Sequence, residues 1–326
     1  MILEHDKGAV FGTTWHKLEQ YKQLDHFVPI EMVREIADYP LELRNSFVPM
    51  TMNSGEVRNV PTGERSIVRP DIGEVITGGV GEDFCLENNL FLVDHIEENF
   101  LSLFPDLAIE SVGTLRNGAT FFLNLKVKEF QVTGDKSPTV SNLMFVNPLA
   151  RGAYRCGAHH VRIVCANTLK AADAEAKANG SLFKIRHMKG AVQQIHNALE
   201  QMAQFRLGLE KNIEKLERLA RLQVSCEQVQ DFLAKMYPMP TDATVTPRKK
   251  TNVWEARGNV LGIFEGDQDL AGGTAYALLN AYTYAVDHRD IRDQSDDAYR
   301  TWGSLYGVEA DKKVVAMNTL MELATV

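Results

Sequence analysis

A chain of 326 residues that is 44% hydrophobic and 24% charged can bury a sizeable core, which excludes a disordered polypeptide. Its net charge of −8 argues against uniform attraction to nucleic acid or to an anionic membrane. It has no apolar run of about eighteen residues, and its first ten residues, MILEHDKGAV, lack the layout of a signal peptide, so a cytoplasmic protein with no membrane partner is expected.

In chain order, residues 1–60 are weakly patterned apart from a short helix opened by Pro29 and stopped before Pro40. Arg65–Arg69 and Glu74–Gly78 flank the turn Pro70-Asp-Ile-Gly73 and predict a hairpin. The residues Leu92, Val93, Ile96, Phe100 and Leu103 recur at helical spacing up to Pro105. Asn117-Gly118 predicts a second hairpin. In its return strand Phe121, Leu123, Leu125 and Val127 share one face, while Phe122, Asn124, Lys126, Lys128 and Phe130 share the other. After a Gly134-Asp135 turn, Thr139–Asn147 reads as a strand.

Residues 151–189 then reverse the electrostatics, with eight Lys or Arg against two acids, whereas residues 1–150 carry a net −10. Such an island can hold an anion on an acidic chain. Within it His159–Ala166 is rich in β-formers, and Asn167-Thr168 predicts the cap of a helix from Leu169 to Ala178. His187, between Arg186 and Lys189, is expected to be exposed or to touch phosphate.

A long helix is predicted over 190–222 from Ile195, Leu199, Met202, Leu209, Ile213, Leu216 and Ala220. A capping box at Ser225 and Gln228 starts the next. Residues 237–252, with three prolines and Arg248-Lys249-Lys250, read as a linker. Helices after Gly272-Gly273-Thr274 and over Lys312–Ala324 complete the chain. The expected organisation is an α+β core domain over 1–236, a linker over 237–252 and a helical subdomain over 253–326.

Chemical motifs are few. Gly78-Gly79-Val80-Gly81 lacks the residues of a phosphate-binding loop. Cys156, His159, His160 and Cys165 are soft enough for zinc, but on a strand His160 leaves the face that His159 and Cys165 share, so no metal or other cofactor is expected. The four cysteines, these two with Cys85 and Cys226, are too scattered for a disulfide framework and are read as reduced thiols.

Val161-Arg-Ile-Val-Cys-Ala-Asn-Thr-Leu169 resembles the VRVVCxNTL block of the phage/plasmid-like protein family, domain of unknown function 932. The resemblance extends in order through Trp15-His16, Asp71–Val75, Gly113–Gly118, Ile185–His187, Gly273–Ala281 and Asp287-His288. It implies a phage, plasmid or prophage origin and a bacterial cytoplasm, and it carries over no catalytic residues.

The fold expected is therefore an antiparallel, hairpin-built sheet backed by helices, then a long helix and a helical C-terminal part, similar in layout to single-strand annealing proteins. The leading functional expectation is binding of nucleic acid, single-stranded DNA above all, by a homo-oligomer acting in recombination or replication. Arg151, Arg155, Arg162, Lys184, Arg186 and Lys189 would meet phosphates with Lys126 and Lys128, and Phe122, Tyr154 or Phe183 would stack on bases. A non-enzymatic structural protein that binds a host protein is the alternative. A nuclease holding magnesium on Glu82, Asp83 and Glu87 is the third.

Overall fold

Two hydrophobic periods and a handful of strong turns build an α+β structure, a computed structural model that describes residues 5–11, 21–102, 104–149, 152–162, 167–170, 182–201, 205–240, 246–266, 272–288 and 308–323. The strands are β1 (Gly8–Phe11), β2 (Lys22–Leu24), β3 (Glu42–Thr51), β4 (Val57–Arg69), β5 (Glu74–Val80), β6 (Ala108–Leu115), β7 (Thr120–Phe130), β8 (Thr139–Pro148), β9 (Ala153–Arg162), β10 (Asn167–Lys170) and β11 (Leu182–Arg186). The helices are α1 (Ile30–Ala37), α2 (Asn89–Ile96, extended by a wider π turn over Glu97–Leu101), α3 (Ala191–Gln201), α4 (Phe205–Arg221), α5 (Cys226–Met236), α6 (Pro247–Gly266), α7 (Ala275–Asp287) and α8 (Val308–Leu323).

The large sheet runs β10-β9-β8-β7-β6-β1-β2, with β11 paired to β9 off this path. A separate sheet runs β3-β4-β5. The chain forms two compact units, one of Met1–Val127, Leu143–Gly157 and Leu182–Gln204, the other of Lys128–Asn142, Ala158–Ser181 and Phe205–Val326.

In the first unit the turn residues behave as their chemistry dictates. Gly73 and Gly118 adopt positive φ of 70° and 89°, which closes the β4–β5 and β6–β7 hairpins. Helix α1 lies against β6 and α2, burying Val33 and Ile36, and its Arg34 joins Asp94 at 2.6 Å and also Glu97. Leu92, Val93, Ile96 and Phe100 form the buried stripe of α2 and its extension, and Phe100 meets Phe145 edge-on at 5.3 Å. Tyr21 covers the strands. A Cβ at Gly8 or Gly113 would come within 2.3 or 2.5 Å of its ring, so only glycine fits beneath it.

The β3–β4 hairpin beyond Asn45 is a two-stranded ribbon with both faces open. Phe47 stands opposite Pro61, Val48 opposite Val60, and Thr51 opposite Val57. Phe47 is 54% and Val57 62% exposed, and Val48 and Met50 on the other face are exposed as well.

The second unit is mainly helical. The capping box predicted at Ser225 and Gln228 is present in both directions at 3.2 and 2.9 Å, and the Thr274 hydroxyl accepts the Ala277 N–H at 3.1 Å to start α7. Leu216, Leu219, Phe232, Leu233 and Val260 pack around α7, which buries residues on nearly its whole circumference. Asp287 ends α7, where the helix dipole disfavours a carboxylate. Its side chain and that of Lys313 on α8 are fully buried and paired.

Two expectations change. Asn167–Lys170 does not cap a helix but forms β10, with Asn167 opposite Arg162 and Leu169 opposite His160; pairing with β9 overrides local capping preference. The predicted helix over 190–222 is described as α3 and α4, and residues 202–204 lie outside the described ones. Residues 247–252, read as linker, are the first turns of α6, with Pro247 at the position where a helix tolerates it. The remainder of the predicted 169–178 helix, Trp15-His16 and Arg151 lie outside the described residues.

Replacing Lys313 with Met removes the buried ammonium with which Asp287 pairs. Lys313→Met is expected to lower unfolding stability by roughly 3–5 kcal/mol, and adding Asp287→Leu should recover most of it. Urea midpoints of the three proteins test this; an unchanged midpoint for Lys313→Met would show that the pair contributes nothing.

Candidate nucleic-acid interface

The basic island is organised by the pairing of β11 with β9. Lys184 stands directly opposite Arg155, Phe183 opposite Cys156, and Ile185 opposite Tyr154. Strand alternation then sorts the side chains. Phe183, Ile185 and His187 point inward and are buried, while Lys184, Arg186, Met188 and Lys189 are exposed. Among the described residues, Lys184, Arg186 and Lys189 have no carboxylate partner. Like charges placed opposite each other, as Lys184 and Arg155 are, weaken a strand pair.

The inward side is apolar and tightly held. His187, 3% exposed, lies between the rings of Phe84 at 5.2 Å and Tyr154 at 4.1 Å. Its Nε2 is 3.0 Å from the Pro148 carbonyl, an acceptor, so Nε2 carries the proton and donates. Nδ1 has no partner among the described residues. Burial lowers the His187 pKa to about 4, against a smaller upward pull from Pro148. His187 is thus neutral and enclosed rather than exposed to phosphate. Met188 bridges to Phe84, and Arg65 fixes that loop by donating to the carbonyls of Gly81, Glu82 and Phe84 at 2.8, 2.6 and 3.3 Å.

The predicted stacking residues cannot stack. Phe122 is 3% and Tyr154 1% exposed, and Phe183 is buried too. Phe122 lies under Tyr21 with ring centroids 6.1 Å apart. The strand period gives β7 two faces correctly, but both are covered as far as Leu125. Lys126 is half-buried, its ammonium 5.9 Å from the centroid of the Phe27 ring, and Lys128 is exposed. Phe27, partly exposed and 4.5 Å from Phe11, is an aromatic that sequence reasoning missed; residues 21–28 have no period to reveal it. Arg162 lies on β9 opposite Asn167, and nothing is described of its side chain.

Metal binding finds no constellation among the described residues. No three His, Cys, Asp or Glu groups gather. Glu87, one of the three acids considered for magnesium, instead accepts a hydrogen bond from the Cys85 thiol at 3.2 Å. Burial and the neighbouring Glu87 raise the Cys85 pKa, and burial alone raises that of Cys156, so neither is an activated thiolate. The described cysteines Cys85, Cys156 and Cys226 are free.

A second polar group lies at the β6–β7 turn. Arg69, 4% exposed, donates from Nη1 to the Asn117 carbonyl at 2.9 Å and from Nη2 to Asp71 at 2.6 Å, and its guanidinium covers the Tyr39 ring at 4.6 Å. The Arg69 hydrogen bond holds the Asp71 pKa below the usual carboxylate range. Asn117 also donates to Glu74, and the Gly118 N–H donates to Asp6 at 3.1 Å. The network joins Asp71–Val75 to Gly113–Gly118, two segments that are distant in sequence.

Gly113–Gly118 falls within residues 96–305, over which a family model described as Domain of unknown function (DUF932) matches, well over half of the chain. The chain belongs to this family. No curated protein and no solved structure matches it. In this DUF932 member three polar residues within the matched span serve packing: Asn117 holds a turn, His187 fills the space behind β11, and Thr274 caps α7.

Because the folded state holds His187 neutral down to about pH 4, its contribution to stability is complete above the unfolded value of about 6.5. As pH falls from there toward 4, the unfolded state gains the proton first and stability drops, by up to about 3 kcal/mol from this group. Urea unfolding at several pH values should show a smaller loss over that window for His187→Asn than for the parent; equal losses would rule out this origin.

Proposed function

We propose that this DUF932 protein binds single-stranded nucleic acid through its phosphates along the β9–β11 edge. The observation that carries the reading is that Lys184 and Arg186 alternate onto the exposed side of β11, with Lys189 just beyond, and that none of the three has a carboxylate partner among the described residues. Strand edges commonly carry lysine to deter pairing with other strands. A further cation at Arg186 on the same side, with Lys189 beyond, exceeds that need and suits a phosphate backbone. With Tyr154 and Phe183 buried, this edge reads charge rather than bases, and the affinity it gives is independent of sequence and steep in salt. The phage and plasmid associations of the family are consistent with a role beside DNA in recombination or replication.

Assembly of identical chains is part of the proposal. Between Ser46 and Gly63 the ribbon of β3 and β4 carries only Glu56 and Arg58, which pair with each other at 3.0 Å. One acid and one base on a neutral apolar surface are self-complementary across a two-fold axis. They let copies of an acidic chain meet without repulsion. Phe47→Ser with Val57→Ser is expected to move the protein to a smaller species in sedimentation; an unchanged species would remove the ribbon from the assembly.

The binding test is fluorescence anisotropy of a labelled single-stranded oligonucleotide at about 50 and about 200 mM salt. Lys184→Glu with Arg186→Glu should weaken binding at least tenfold at the lower salt, and should flatten the log–log salt slope by about 1.4 if each contacts one phosphate. Binding that matches the parent at both salts would sink the edge as the site.

A further inference from the structure

Helix α6 carries a second feature that suits nucleic acid, and it draws on residues that the edge of β11 does not use. Its first turn holds Arg248, Lys249 and Lys250 and no acid. The N-terminus of a helix is the positive end of its dipole, so three cations there oppose the helix's own stability. All three are exposed, and none has a carboxylate partner among the described residues. One turn on is Trp254, 60% exposed on a helix in water. Its ring is not loose. The Arg257 guanidinium lies 5.6 Å from the ring centroid, and it is tied down by two hydrogen bonds to the Tyr237 carbonyl, at 3.0 and 2.6 Å. One face of the indole is thus backed by an anchored cation, and the exposure of the ring leaves the other for a ligand.

Lys250, Trp254 and Arg257 follow the four- and three-residue spacing that lines side chains along one stripe of a helix. Lys250 and Trp254 are about 6 Å apart along the axis. Cation, held aromatic and cation in a row are the components with which proteins grip a single strand, charge for the phosphates and a ring for an unstacked base. A duplex offers phosphates but keeps its bases stacked, so it would use only half of this surface.

We propose that the N-terminal half of α6 is a contact for single-stranded nucleic acid in its own right, with Arg248, Lys249 and Lys250 on phosphates and Trp254 stacked on a base. This rests on the reading of the protein as a nucleic-acid binder, but not on the edge of β11. It assigns the base-stacking role that Phe122 and Tyr154, being buried, cannot fill.

The test titrates the full chain with a deoxythymidine oligomer while following tryptophan fluorescence and, separately, anisotropy of the labelled oligomer. Quenching is expected in the parent and largely absent in Trp254→Phe. Trp254→Ala should weaken binding by about 5- to 150-fold, the usual range for loss of one stacked base. Arg248→Glu, Lys249→Glu and Lys250→Glu together should flatten the salt slope by about 2. These positions are exposed, and an unchanged circular dichroism spectrum and urea midpoint establish that each variant is folded. If quenching persists in Trp254→Phe and the charge variant keeps the parent's slope, the inference is overturned. Loss of binding in Lys184→Glu with Arg186→Glu, with parental binding in the α6 variants, upholds the β11 edge and overturns α6. The opposite pattern upholds α6 and overturns the edge. No binding by the parent overturns both, and quenching by anionic lipid vesicles but not by the oligomer overturns α6 as a nucleic-acid contact.

Discussion

A buried guanidinium organises the end of β4 and the turn of the β6–β7 hairpin. Removing Arg69 from water is costly for an isolated charge, yet each side of it is met: Asp71 supplies the opposite charge, the Asn117 carbonyl accepts, and the Tyr39 ring covers its face. The carbonyl it holds belongs to a turn in which Arg116 and Asn117 adopt φ of 58° and 55°, a conformation that non-glycine residues rarely take. Such a turn persists only where its surroundings over-determine it. Here Asp6, Glu74 and Arg69 all bond to it. The end of β4 and the turn of the β6–β7 hairpin are thereby one structural element, although 48 positions separate Arg69 from Asn117.

What could be read from the sequence was what local chemistry decides. The turns at Pro70–Gly73 and Asn117-Gly118, the capping box at Ser225 and the cap at Thr274 each depend on a few adjacent residues, and each is where the sequence places it. The alternation of β7 was equally legible, but a period shows only that two faces exist. Whether Phe122 is open or covered depends on Tyr21, a hundred positions away. Asn167-Thr168 is a sound cap in isolation and lost to a partner strand. His187 is a different kind of miss. Phe183 and Ile185 alternate with Lys184 and Arg186, and continuing that count puts His187 inside, but its charged neighbours drew attention to the surface. The prolines of 237–252 concealed the start of α6 in the same way, since one of them sits at the first helical position.

The electrostatic picture also divides by cause. At Arg69 with Asp71 and at Lys313 with Asp287, the buried cation has a counterion at hand. On β11 and at the start of α6, cations are exposed and set against the preferences of their own strand pair or helix. Stability explains the first group and does not explain the second. That contrast within one chain, rather than its overall charge, is what distinguishes structural ions from those available to a ligand.

The ribbon of β3 and β4 holds a further consequence in its two prolines. Pro49 stands opposite Asn59 and Pro61 opposite Phe47, one on each strand. A proline fits a paired strand only where its nitrogen faces away from the partner, so each outer rim of the ribbon lacks a donor and carries a ring instead. An arm this apolar would otherwise be a template for cross-β fibre growth. The rings obstruct that route at both rims and leave the flat sides of the ribbon as its open apolar surface.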